Sequence, residues 1–225
     1  MSIFNKLLGA IGFLPSLTNT LYFNLTYFPL RMALKLPVFV SSNVKFVRAK
    51  GQVKINGPIG RGMIRLGYGD IPIFDKNHSR FLWNVTGTVI FNGAAYLGHG
   101  SKISVDPAGS LSIGNNLRVT AETTIICHKE ISLGDDLLMS WEIQIMDTDF
   151  HQIIQAGTHI NPNDSVQIGN HVWINSRALI LKGTVVAEGC VVAAGALLNQ
   201  KYLEPNSIIG GIPARILRKD ITWKD

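Results

Sequence analysis

The sequence has 225 residues, 46% of them hydrophobic and 16% charged, and a formal net charge of +6. That balance excludes a disordered chain, and the length is enough to bury a large core. The positive surplus suits a phosphorylated ligand or an anionic membrane face; no DNA- or RNA-binding motif accompanies it, so no nucleic-acid partner is expected.

Residues 1–45 stand apart as an apolar N-terminal segment. No charged residue occurs from Leu7 to Leu30, and Ile3, Phe4, Leu7, Leu8, Ile11 and Leu14 share one helical face. Pro15, Ser16, Thr18, Asn19, Thr20, Asn24, Thr26 and Pro29 interrupt the run, so it lacks the roughly 18 consecutive apolar residues of a membrane span. A secretory signal is a poor match because no small-x-small cleavage site follows the LLGAIGFL core. The stretch LYFNLTYFPL, followed by Arg31, Lys35, Lys45, Arg48 and Lys50, has two open readings. It lies against a membrane surface, or it packs on the body of the protein or between subunits.

Between about 46 and 87, the alternating runs VKFVRAKGQVKI and GMIRLGYGDIPIF are separated by Gly and Pro and predict irregular early strands. No low-complexity linker divides the chain. Looser six-residue units follow: IFNGAA at 90–95, IGNNLR at 113–118, VTAETT at 119–124, LGDDLL at 133–138, MSWEIQ at 139–144 and IMDTDF at 145–150. Cys127 and Cys190 fall where a small apolar residue is wanted, which predicts buried free thiols in a reducing compartment.

From residue 168 to 197 the units become strict: IGNHVW, INSRAL, ILKGTV, VAEGCV, VAAGAL. Their first position is Ile168, Ile174, Ile180, Val186 and Val192; their fifth is Val172, Ala178, Thr184, Cys190 and Ala196. A period of six fits neither a helix nor a simple two-faced strand. It predicts short strands joined at the corners of a triangular prism, the leading aliphatic on the axis and the small residue where a corner leaves little room. Such a solenoid buries each coil only by stacking it on the next.

The repeat resembles the hexapeptide-repeat acyltransferases, most closely the sugar O-acetyltransferases. The resemblance implies an all-β fold, a left-handed parallel β-helix over residues 46–213 with a loop at 152–166 inserted, and a short capping helix at 214–225. IGNHVWIN matches that family's "IGxxVWIG", and EPNSIIGGIPARILR matches its C-terminal signature. Two departures occur at Asn175, where the family has Gly, and at Lys182, where it has Pro.

Chemistry is expected where the repeat fails. After IMDTDF the chain runs through HQIIQAGTHINPNDSVQ before the period resumes, and His151 opens that loop, preceded by Asp147 and Asp149. A neutral imidazole takes a proton near neutral pH, and a carboxylate on its other nitrogen fixes the tautomer. The same position in the family carries the catalytic base, which makes His151 the expected base. Asp147 is the first choice for its orienting acid and Asp149 the second.

The resemblance further implies acetyl-coenzyme A as acyl donor, a sugar or glycan acceptor and a homotrimer with active sites between subunits. It assigns oxyanion stabilisation to the backbone N–H of Ser176. It places Trp173, Asn175, Ala193, Ala194, Gly195, Lys201, Gly211, Arg215 and Arg218 along the cofactor, and Trp141 beside the acceptor. A cytoplasmic enzyme, peripheral at the inner face of the membrane, is the expected setting. Two alternatives stay open: an N-acetyltransferase of an amino sugar, and a non-catalytic membrane-associated scaffold. A zinc site of the β-helical carbonic anhydrase kind is not expected, because His151, His159 and His171 lack the required spacing.

Overall fold

The computed structural model describes residues 16–69, 71–75 and 78–224. The expected helix on the face of Ile3 to Leu14 lies outside these residues. Three parallel sheets run along one axis: nine strands in sheet A, and seven each in sheets B and C. Each coil contributes one strand to each sheet in turn. The first is β1 (Val38–Val40), β2 (Val44–Ala49), β3 (Gln52–Ile55), and the second β4 (Ile64–Tyr68), β5 (Phe81–Val85), β6 (Thr88–Phe91). The third is β7 (Ala95–Gly98), β8 (Lys102–Val105), β9 (Ser110–Ile113), and the fourth β10 (Leu117–Ala121), β11 (Thr124–Cys127), β12 (Glu130–Leu133).

The fifth coil is interrupted. It passes through β13 (Leu138–Trp141) and β14 (Gln144–Met146), leaves as a loop holding the hairpin β15 (Ile154–Gln155) and β16 (Thr158–His159), and returns at β17 (Val166–Ile168). The strict units supply the sixth coil, β18 (Trp173–Ile174), β19 (Leu179–Ile180) and β20 (Val185–Val186). They then form the first two strands of the seventh, β21 (Val191–Val192) and β22 (Leu197–Leu198), which β23 (Lys201–Tyr202) completes. The prism therefore starts at Val38, inside the segment expected to precede it.

Axis positions are occupied as the period requires. Ile168, Ile174, Ile180, Val186 and Val192 are buried, as are Val172, Ala178, Thr184, Cys190 and Ala196. Of the looser units, those led by Ile113, Val119, Leu133, Met139 and Ile145 are in register, each leading residue buried. IFNGAA is off by one: Phe91 is buried and Ile90 is not, because strand alternation at β6 puts Val89 and Phe91 on the inner face. Both cysteines are free and buried.

The corner between sheets C and A explains the recurring Ile/Leu-Gly-Asn/Asp. A Cβ on Gly134 would lie 2.7 Å from backbone atoms of Gly169 in the next coil, so only glycine fits. The polar residues that follow satisfy the exposed corner peptides: Asn115 N–H donates to Asp135 (2.6 Å) and Asp135 N–H to Asn170 (2.9 Å).

The open N-terminal end is capped by a helix, α1, over described residues 16–27, and a short turn of helix, α2 (Leu30–Ala33). Phe23 is fully buried and meets Trp83 edge-on at 5.2 Å. Asn24, also buried, donates to the carbonyl oxygens of Thr20 and Val38, both at 2.7 Å. Thr20 accepts the Val40 N–H at 2.9 Å, so two helix side chains satisfy the free edge of β1.

The C-terminal end differs from expectation. Residues 214–218 form a strand, β25 (Ala214–Arg218), antiparallel to β24 (Ile208–Gly211), in place of a capping helix. Gly211, at φ 103°, reverses the chain, and β25 pairs the last open edge of sheet A, which a helix would leave unpaired. Beyond it Trp223 stacks flat on His171 (4.1 Å, 6°) and donates its indole N–H to the His171 carbonyl (3.0 Å).

Candidate active site

The inserted loop leaves the corner between sheets B and C on the fifth coil, and its stem is built from three successive coils. The fourth supplies His128 and Lys129, the fifth Asp147 to Ser165, and the sixth Lys182 and Gly183. Asp147 is fully buried, and its carboxylate accepts the backbone N–H groups of His128 (2.7 Å), Lys129 (2.8 Å) and Glu130 (2.7 Å). It makes no hydrogen bond to His151. The first-choice orienting acid is thus a structural carboxylate that clamps the corner below the site.

Asp149 is committed elsewhere too. One of its oxygens accepts from Lys182 Nζ (2.6 Å) and Asn161 Nδ2 (2.9 Å). These bonds, with that from Lys182 first, hold its carboxyl below the usual carboxylate range. Lys182 also donates to the carbonyls of Asn161 (2.9 Å) and Pro162 (3.1 Å). The lysine that replaces proline is therefore the peg that fastens the loop.

His151 sits above this peg, exposed, held by its main chain: its N–H donates to the Asp149 carbonyl (2.7 Å) and its own carbonyl accepts from Asn161 (2.9 Å). Its imidazole has no hydrogen-bond partner among the described residues and lines a cavity of about 180 Å³ with His128, Phe150, His159 and Asn161. The His128 ring meets Phe150 edge-on at 5.3 Å. Sequence reasoning missed His128, His159 and Asn161 as neighbours of His151; the insertion signalled the last two, and only coil stacking brings His128 beside them.

The other expected residues, Lys201 excepted, lie elsewhere on the prism. Trp141 ends β13 at the corner between sheets A and B, and Asn175 and Ser176 follow β18 at the same corner. Asn175 Nδ2 donates to the Val192 carbonyl of the next coil (2.9 Å). The N–H groups of Asn175 and Arg177 donate to Val192 and Trp141, whereas the Ser176 N–H has no acceptor among the described residues. Ala193, Ala194 and Gly195 form the same corner one coil further on.

Gly211, Arg215 and Arg218 belong to the terminal hairpin, with both arginines exposed. Lys201 lies on sheet C, where its charge helps keep the Asp164 carboxyl low after the larger effect of Lys129, so it belongs to the His151 corner and not with the arginines. Trp173 sits on sheet A beside Trp223, ring centroids 6.0 Å apart. The described residues contain no group of three or more His, Cys, Asp or Glu able to hold a metal.

Residues 165–200 match the family described as bacterial transferase hexapeptide (six repeats). Over 99% of both chains, the sequence is 26% identical to an uncharacterised 24.8 kDa protein of the cps region of Klebsiella pneumoniae. It is 36% identical to the polysialic acid O-acetyltransferase of Neisseria meningitidis over 51% of this chain and 57% of that one. The crystal structure of the polySia-specific acetyltransferase NeuO superposes over 83% of this chain and 74% of that one, with a TM-score of 0.53 and 21% identity. The fold is the left-handed parallel β-helix, and residues 165–200 carry the transferase hexapeptide repeat.

Proposed function

We propose that the protein transfers an acetyl group from acetyl-coenzyme A to a hydroxyl of a surface polysaccharide or its lipid-linked precursor. The observation that carries this reading is the unpartnered His151 imidazole at the mouth of a cavity, on the loop where the hexapeptide period breaks. His151 removes the proton as the sugar oxygen attacks the thioester carbonyl, an effect worth about 10²- to 10⁴-fold. The oxyanion that forms is met by a backbone N–H, and coenzyme A leaves as its thiolate when the C–S bond breaks.

The unused N–H of Ser176 fits that task, but Ser176 and His151 belong to different corners of the prism. One substrate reaches both only where the A–B corner of one copy lies against the B–C corner of another. A cyclic trimer repeats that contact three times and closes. His151 is therefore assigned as base and the Ser176 N–H as oxyanion donor from a neighbouring copy. Ala193, Ala194 and Gly195 would line the path of the donor, with Asn175 beside it. Arg215 and Arg218 are the candidates for its phosphates. Asp149 acts through Lys182 and Asn161 on the backbone that presents His151, and is a positioning residue.

The solvent side of α1 and α2 exposes Leu21, Tyr22, Leu25, Leu30 and Leu34 beside Arg31 and Lys35. An apolar stripe next to basic side chains suits the interface of an anionic bilayer, where a lipid-linked acceptor is found. None of the described helices is long and apolar enough to cross a membrane. Contact at the cytoplasmic face is thus proposed as peripheral. The test of the activity is incubation of the trimer with acetyl-coenzyme A and a bacterial capsular glycan, reading free thiol and the glycan mass. Thiol release with gain of one acetyl group per acceptor supports the reading. Transfer undiminished in the H151A variant excludes His151 as base.

A further inference from the structure

A second cavity, of about 400 Å³, lies at the other end of the prism, on the corner between sheets A and B. Three successive coils build it: Ser41, Ser42 and Asn43 from the first, Gly67, Tyr68 and Gly69 from the second, and His99 from the third, with Ser16 of the capping helix closing one side. His99 is 2% exposed, and neither ring nitrogen has a hydrogen-bond partner among the described residues. Among the described residues its ring neighbour is Phe74, edge-on at 5.8 Å. Buried imidazoles are ordinarily paired through both nitrogens, so a doubly orphaned ring in a cavity wall marks a place where a ligand completes the bonding.

The lining selects the ligand. Among the described residues that line it there is no Lys, Arg, Asp or Glu; their polar groups are three serine hydroxyls, one carboxamide, one phenol and the imidazole. A neutral imidazole offers one N–H donor and one lone pair, and each hydroxyl likewise gives and accepts. That alternation matches the vicinal hydroxyls of a neutral sugar ring, and Tyr68 supplies an aromatic surface of the kind such rings pack on. The volume falls within the roughly 300–1,000 Å³ typical of small-ligand sites.

We infer that this cavity is a carbohydrate subsite that holds a neutral glycosyl residue away from the position of acyl transfer. It deepens the reading of the acceptor as a glycan and rests on it. The subsite lies on a different corner from His151 and on earlier coils, so it would engage a second residue of an extended chain, not the ring being acetylated.

Saturation-transfer NMR on the full chain tests this, with glucose, galactose and N-acetylglucosamine as probes and inorganic phosphate as competitor. Acetyl-coenzyme A binding is measured on the same samples. The proposal predicts ring-proton signals from at least one sugar that survive in H151A, vanish in H99F and vanish in S42W, where an indole at the exposed rim closes the entrance without touching the core. Acetyl-coenzyme A binding stays unchanged throughout. S42W keeps the test valid if H99F fails to fold. Sugar signals that persist in S42W, no signal with any probe, or displacement by phosphate would each overturn the subsite. Because the donor is measured separately, such a result leaves the acetyltransferase reading standing, and loss of donor binding alone strikes that reading.

Discussion

The buried Asp147 carboxylate holds together the corner below His151 through the N–H groups of His128, Lys129 and Glu130. Its position in D-x-D-x-H suggested an acid for His151, yet the side chain turns inward to three backbone N–H groups, a choice set by coil stacking that no local spacing records. Replacing it by Ala strands those donors and is expected to cost about 3–5 kcal/mol, measured by urea denaturation. D147N should recover part of that loss. Asp149 behaves differently. Its folded carboxyl is held low, so the stability it lends the loop is fully present above the ordinary carboxylate range and is lost as pH falls through the depressed value. Limited proteolysis across residues 152–166 should therefore accelerate only at acid pH in the wild type, and already at neutral pH in K182A. Equal cleavage of the two proteins at neutral pH would show that Lys182 does not fasten the loop. Burial, with the nearby Asp147 charge second, pushes the Cys127 thiol well up, so it should resist thiol reagents until the chain unfolds.

At the scale of elements, the strict hexads were readable because one residue type is forced at each axis and each corner. Ile168 to Val192 and Val172 to Ala196 all fall where the period puts them. The ends were less readable. The family resemblance implied a helix over residues 214–225, but the open edge of sheet A draws Ala214–Arg218 into a strand. At the front, the aromatic segment had two readings, and the structure supports packing on the body: Phe23 and Asn24 face the prism, while Tyr22 and Leu25 are exposed. These faces separate in mutants. F23A should cost about 3–5 kcal/mol, as expected for a fully buried Phe, and is read by thermal or urea unfolding. A double Leu21→Ser, Leu25→Ser variant should leave stability nearly unchanged and release the protein from anionic vesicles in flotation. Unaltered flotation would remove α1 from the proposed membrane contact.

For the whole molecule, the proposed assignment of His151 and the Ser176 N–H to different corners would make assembly a condition of activity. Ser176 precedes Arg177, whose φ is 62°, so it occupies the turn position that proline suits, and S176P removes the free N–H without disturbing the fold. H151A and S176P homotrimers should each be nearly inactive, yet mixed trimers should regain activity, because some interfaces pair an intact His151 with an intact Ser176 N–H. Mixing without recovery would place both groups in one chain's site or remove Ser176 from the chemistry. The claim beneath these predictions is that the chain binds acetyl-coenzyme A and that His151 acts on the acceptor, not on the donor. It is tested most directly by calorimetric titration of the full chain with acetyl-coenzyme A and with its dephospho form, beside H151A and R215A. The account predicts binding that survives in H151A and weakens when either the 3′-phosphate or Arg215 is removed. A folded trimer that takes up no acetyl-coenzyme A would contradict it.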